Sequence, residues 1–457
     1  MKQLLFVLPD PQDHARALAA GWLKLGIFAL LAAGILSLLL VLSRTPGVQE
    51  IIPWLDFFHT ALVVHVVLSV VIWFSAFAGV LWVANSRVRQ PLWDKSILAT
   101  AAVGAGLVAL SPFVGNGNPL LNNYVPILQQ PLFLWGLGIF GVGFAGLIIR
   151  SLMVAEWRTP AETGVYASIV MTAVALLALL ASGVEMPAGY SGQAFYELLF
   201  WGSGHTLQFA HSLLLMVAWL WLAEATGASI RLAPLPAKAL FGLMLLPVLA
   251  VPFIYLQFGL ASAEHRTAFT HLMKFGGLTA LPLGILAVYY VLTANRVREA
   301  GLRPQRNALY ASIVLFAAGG VIGFLIHGAN VVIPAHYHGS IVGVTLAFMG
   351  LTYYLLPRLG FQPVVSKWAA WQPFVYGCGQ LLHILGLAWS GGYGVQRKTA
   401  GAAQGLHDLP QILGMGMMGL GGLIAIIGGG IFVVVVLRAL YARPTATPAG
   451  NGPPAAQ

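Results

Sequence analysis

Ile333-Pro334-Ala335-His336-Tyr337-His338-Gly339-Ser340 opens an apolar run that ends at Pro357. If the run is helical, successive residues advance by about 100°. Histidines at i and i+2 then leave the helix on nearly opposite sides. They cannot grip one metal from a single face, but they can reach two different groups, one on each side. Ionisable residues at the mouth of a membrane helix mark a functional site. The competing reading is two interfacial histidines bonded to loop carbonyls.

The rest of the chain decides the solvent. It has 457 residues, is 59% hydrophobic and only 8% charged. That is the composition of a polytopic membrane protein, not of a soluble domain. Cys378, the single cysteine, excludes a disulfide framework and cysteine-held zinc or iron–sulfur sites. The net charge of +10 does not imply nucleic acid. Its Lys and Arg residues lie in short loops between apolar runs, where they report topology. Twelve histidines are the unusual count in so apolar a chain.

Apolar runs long enough to span a bilayer lie near 22–43, 57–84, 97–112, 131–153, 165–182, 195–223, 238–258, 268–295, 308–327, 335–357, 370–391 and 409–438. We expect an all-α polytopic membrane bundle of about twelve transmembrane helices. It forms a single domain, residues 1–443, followed by a disordered Pro/Ala/Gly-rich tail, 444–457. Residues 1–20 lack the n-region and cleavage site of a secretory signal. They read as a polar cytoplasmic segment.

The basic residues test this layout. Arg44, Arg266, Arg397, Lys398 and, just inside a span, Lys274 fall on one set of alternate loops. Every other Lys and Arg of the 23 falls on the opposite set or near a terminus. The bias puts both termini in the cytoplasm and suits a bacterial-type inner membrane. In that orientation His336 and His338 lie at the outer end of the tenth span. His65 lies about two turns into the second span and His205 a few turns into the sixth. His265 lies in the outer loop between the seventh and eighth. Residues far apart in sequence thus converge in the outer half of the membrane. Imidazole suits both haem iron and copper. A low-spin haem needs two axial histidines, a high-spin haem needs one, and a copper opposite its open face needs histidines of its own.

Ala335-His336-Tyr337-His338, followed by Gly350-Leu351-Thr352-Tyr353-Tyr354-Leu355-Leu356-Pro357-Arg358, resembles the tenth helix of subunit I of the haem–copper oxygen and nitric oxide reductases. His65-Val66-Val67-Leu68 running to Val71-Ile72-Trp73-Phe74 and Phe77-Ala78-Gly79 resembles their second helix. Trp201-Gly202-Ser203-Gly204-His205 resembles the sixth. The resemblance covers the whole chain and is nearest the branches of ba-type oxidases and nitric oxide reductases. It implies that His65 and His338 are the axial pair of a low-spin haem, with His59 the competitor for His65. It implies that His336 is the axial ligand of a high-spin haem, and that His205 binds copper or a non-haem iron in its place. Arg397 and Lys398 match a basic pair that clamps haem propionates; His327, Asn330 and Asp408 are weaker candidates for that polar cap. The implied cofactors are two haems and copper or non-haem iron. The implied electron donor is a cytochrome c or a cupredoxin-type subunit II.

Two stretches depart from the family pattern. The family has two consecutive histidines after the seventh helix, whereas here the stretch reads Ser262-Ala263-Glu264-His265-Arg266-Thr267. Only His265 remains, and arginine cannot ligate. Glu264 is the first candidate for a third ligand, with His271 or His211 next; a two-coordinate or absent copper also fits. In many oxygen reductases a tyrosine follows the sixth-helix histidine by four residues. Here that residue is Phe209, with Gln208 and Ser203 the nearest polar neighbours. The glutamate often found there in nitric oxide reductases is missing too. Tyr289 and Tyr290 lie too far along the eighth helix to replace the tyrosine. Glu156 and Glu224 read as interfacial. Glu185, Tyr196 and Glu197, close to His205 in sequence, point to proton uptake from outside. These residues imply an oxidoreductase that reduces a diatomic gas, nitric oxide ahead of dioxygen. A twelve-span transporter is an alternative, although no internal repeat supports it. A haem-binding paralogue that has lost its metal is another.

Overall fold

The computed structural model describes residues 4–47, 57–86, 91–294 and 300–442; the tail 444–457 lies outside the described residues. The apolar runs fold as helices. They are α1 (Asp13–Arg44), α2 (Phe57–Ala84), α3 (Pro91–Leu110), α4 (Pro131–Val154), α5 (Pro160–Val184) and α6 (Gly192–Ala225). After α7, described below, come α8 (Ala263–Thr293), α9 (Arg303–Phe324), α10 (Val332–Arg358), α11 (Lys367–Gly392) and α12 (Leu409–Tyr441). The strands among the described residues are β1 (Asn118–Leu120) and β2 (Ile127–Gln129), a short antiparallel ribbon before α4.

Ten of these helices are long and apolar enough to cross a membrane by length and composition. The seventh expected span, α7, is broken. Its halves, Pro234–Leu243 and Leu246–Gln257, meet at 43°, and counted as one span they bring the total to eleven. Pro247 opens the second half, and proline withholds the N–H that would continue the first. The eleventh expected span, 370–391, is α11. It has 26 residues, but Gln372, Gln380, His383 and Ser390 dilute it, and composition alone does not mark it as a crossing. Helix α1 begins within the segment expected to be polar, and Phe6 and Leu8 before it are buried.

The loops sort onto two ends. At one end the Arg397 Nη2 donates to Asn123 Oδ1 at 2.7 Å, and the Asn123 N–H donates to Glu197 at 3.2 Å. Val331 N donates to Val395 O at 3.0 Å there too. At the other end Phe6 N donates to Glu224 at 2.7 Å, Arg358 pairs with Asp10 at 2.9 Å, and Gln362 N donates to Ala439 O at 3.3 Å. Arg150 is not a loop cation. It is buried at the end of α4 and bonded to Asp94 of α3, whose other oxygen meets His14 Nε2 of α1 at 2.7 Å. A buried guanidinium needs such a partner. Both described ends of the chain therefore lie at the same end of the bundle.

Within the bundle three spans are central. Of the most apolar window of each helix, 78% is buried in α2, 78% in α6 and 89% in α10, against 17% in α8. Phe77 of α2 stacks on Phe348 of α10 with centroids 4.3 Å apart. The three central helices are the ones that carry His65, His205, and His336 with His338.

Candidate functional site

In α10 the two histidines leave in different directions, as an i, i+2 pair must. His336 turns to α9, where its Nδ1–H donates to Gly319 O at 2.8 Å. That carbonyl is within reach because α9 and α10 touch backbone to backbone: a Cβ at Gly319 or Gly339 would overlap the other helix's main chain. His338 turns the other way, its ring 5.1 Å from that of His383 on α11. It also lies in electrostatic range of His65 and Arg44.

His65 sits just before a π-helical turn of α2, Val67–Ile72. Such turns re-aim side chains and gather at functional sites. Its Nδ1–H donates to Ala33 O of α1 at 2.9 Å, and Ser69 Oγ donates to the His65 carbonyl at 2.7 Å. His65 and His338 are half-buried, and Tyr337 between the two α10 histidines is 41% exposed. The buried Nε and Nη2 of Arg44 have no hydrogen-bond partners.

On α6 His205 is buried, and its Nδ1–H donates to Trp201 O one turn back at 2.8 Å. His265 is buried in the first turn of α8, where Ser262 Oγ caps its backbone N–H at 3.1 Å. Its Nε2 has no hydrogen-bond partner. Both rings flank Phe269, at 5.8 Å from His205 and 5.0 Å from His265. Glu264 and Arg266 are exposed, and the Arg266 guanidinium lies over the Trp201 ring at 5.0 Å. His271 is exposed beside Phe275. His211 faces Phe74 of α2 with centroids 4.8 Å apart. Among the described residues no three His, Cys, Asp or Glu side chains group as a metal-holding set.

Two tyrosines that the sequence did not single out stand beside this histidine pair. Tyr124, in the turn between β1 and β2, lies 4.7 Å from the His205 ring and hydrogen-bonds the Gln208 side chain. Tyr255 of α7 lies 5.0 Å from the His265 ring; its hydroxyl donates to Ala178 O at 2.9 Å and meets Ser182 Oγ at 2.7 Å. The glycines of the Trp201–His205 motif make room for them. A Cβ at Gly204 would overlap the Tyr124 ring, and one at Gly202 would overlap the Tyr255 hydroxyl. Phe209 is buried against Gly276 and Pro247. His383 is a further buried histidine that sequence reasoning missed, its Nδ1–H bonded to Met418 O at 2.9 Å.

Arg397 and Lys398 lie over this end of the bundle. The Lys398 Nζ donates to Leu121 O, and Lys398 O meets His59 Nε2 at 3.3 Å. Burial, with help from Arg397, pushes the Lys398 amine down to about 8, against the pull of Glu197.

A carbonyl can only accept, so each ring that bonds one through Nδ1 carries its proton there. His65, His205, His336 and His383 therefore present Nε2 as a bare lone pair. This is the tautomer and anchoring of metal-bound histidine. The buried, unpartnered Nε2 of His265 asks for a partner of the same kind. The residues present fit imidazole-held metals.

The fold is that of a multi-pass membrane protein. The chain belongs to the cytochrome c and quinol oxidase polypeptide I family, whose model matches residues 18–431. It is thus a haem–copper oxidase-type subunit I, and the transporter reading falls. It is 29% identical over 501 residues to an uncharacterized protein, RP382, of Rickettsia prowazekii (strain Madrid E), across 94% of this chain and 97% of that one. It is 27% identical over 365 residues to an uncharacterized protein of Aquifex aeolicus (strain VF5), across 77% of this chain and 88% of that one.

Proposed function

We propose that the chain is the catalytic subunit of a respiratory reductase that passes electrons from a cytochrome c or a cupredoxin-type subunit to a bound diatomic gas, nitric oxide first. His65 and His338 hold the low-spin haem and His336 the high-spin haem. His205 and His265 hold the copper or non-haem iron, with Glu264 the nearest carboxylate in sequence for a third bond. Arg397 and Lys398 face the propionates. With α7 and α11 both counted as spans, the chain crosses twelve times as a single domain, 1–443, in a bacterial-type inner membrane with both termini cytoplasmic. The observation that carries this reading is the Nδ1 anchoring of His65, His205 and His336 inside the three most buried helices. When bound, the metals store and deliver electrons. The chain fixes each imidazole, shields the site from lipid and supplies the polar cap.

Nitric oxide comes first on electron count. Splitting dioxygen takes four electrons nearly at once; coupling two nitric oxide molecules takes two electrons and two protons. Position 209, where the family's tyrosine would stand, is filled by a phenylalanine in apolar packing. Position 266 carries a guanidinium stacked on Trp201 instead of a ligand. Dioxygen is the second reading, and the phenol of Tyr124 beside His205 is what favours it. The test is anaerobic turnover of the purified complex with a reduced donor, following nitric oxide loss and nitrous oxide formation. Rapid dioxygen consumption with no nitrous oxide would reverse the order.

A further inference from the structure

The helix that carries His205 has no hydroxyl at position 209, but a phenol reaches the same imidazole from outside the helix. Tyr124 lies along α6 from Gly204, past the His205 ring at 4.7 Å, to the Gln208 side chain. Its hydroxyl thus meets the side chain next in sequence to position 209. We propose that Tyr124 is the phenol donor of this site and hydrogen-bonds the diatomic gas held beside His205. The inference rests on the metal-site reading above and applies to either gas.

Three observations support it. The turn that carries Tyr124 is fixed on several sides. Asn123 is held by both Glu197 and Arg397, and the Leu121 carbonyl by Lys398. A donor fixed in advance costs no reorganisation when the gas binds. Gly204 is the residue that lets the Tyr124 side chain lie against α6, since any Cβ there would overlap it. The neighbouring phenol is not available: Tyr255 gives its proton to the Ala178 carbonyl. Tyr124, by contrast, meets an amide that can itself donate to the phenol oxygen, which leaves the phenol proton free.

The test uses carbon monoxide on the reduced, purified complex. The C–O stretch reports a hydrogen bond to the bound gas. Tyr124→Phe should move the band upward, since the bond that lowers it is lost. The same variant should lower gas turnover by about 10²-fold or more, the usual scale for a positioned proton donor. In the native protein, exchange into D₂O should move the band; in Tyr124→Phe it should not. If the variant does not assemble, a native band that deuterium leaves in place overturns the inference. A native complex with no carbon monoxide-binding haem would overturn the site reading and this inference with it. A native band that neither Tyr124→Phe nor deuterium moves would overturn this inference alone.

Discussion

His65 and His59 lie six residues apart on one helix, and their ring nitrogens separate their roles. His65 gives Nδ1 to the Ala33 carbonyl at 2.9 Å and keeps Nε2 free. His59 has Nε2 engaged with the Lys398 carbonyl at 3.3 Å. The free Nε2 is the one a metal takes, so His65 fits a ligand and His59 fits a loop tie. His65→Ala or His338→Ala should each abolish the bis-histidine low-spin spectrum, because each strips an axial ligand. His59→Ala should keep it. The opposite pattern in reduced-minus-oxidised spectra would move the axial role to His59. Much of this site was legible in the sequence. The divergence of His336 and His338 follows from helix angle alone. Tyr124 was not legible, since its approach depends on how a loop of another part of the chain folds. Its trace was the pair Gly202 and Gly204, small residues without an evident purpose until two tyrosines are seen against them. His383 left no trace at all, because one histidine in an apolar run looks like any other.

At the scale of helices, hydropathy placed the spans but could not rank them. In lipid, a face that meets tails and a face that meets another helix are both apolar, so periodicity is silent about which helix is central. The ranking comes from burial, with α2, α6 and α10 innermost. The break in α7 and the polarity of α11 are local effects of Pro247 and of Gln372, Gln380 and His383, which a hydropathy run averages away. The α9–α10 contact sets the aim of His336. Gly319 and Gly339 bring the two backbones together, and this close approach puts the Gly319 carbonyl 2.8 Å from His336 Nδ1. Gly319→Leu must force the helices apart at a cost of about 1–3 kcal/mol and remove that anchor. Carbon monoxide binding by the high-spin haem should fall in this variant. The low-spin spectrum, set by His65 and His338 on the other side of α10, should persist. Equal loss of both signals would mean that the contact holds the whole bundle and not the orientation of one imidazole.

For the molecule as a whole, the site's position is a statement about sides of a membrane. The turns that carry Asn123, Glu197, Val331 and Val395 meet at one end, with Arg397 and Lys398 over it. Phe6, Asp10, Glu224, Arg358 and Ala439 meet at the other. By the alternation of loops along the sequence the basic residues are unevenly shared, and most of the 23 fall on the set that includes the Arg358 loop of the second end. Positive loops are retained in the cytoplasm, so the second end should face inward, and the histidines lie in the outer half. A soluble electron donor outside the membrane would then approach the Arg397–Lys398 end, a short step from His338. A reporter fused after Arg306 should read cytoplasmic, and one inserted in the turn beside Asn122 should read external. Reversed signals would put the Arg397–Lys398 end inward, and a donor outside the membrane would then meet only the far ends of the helices.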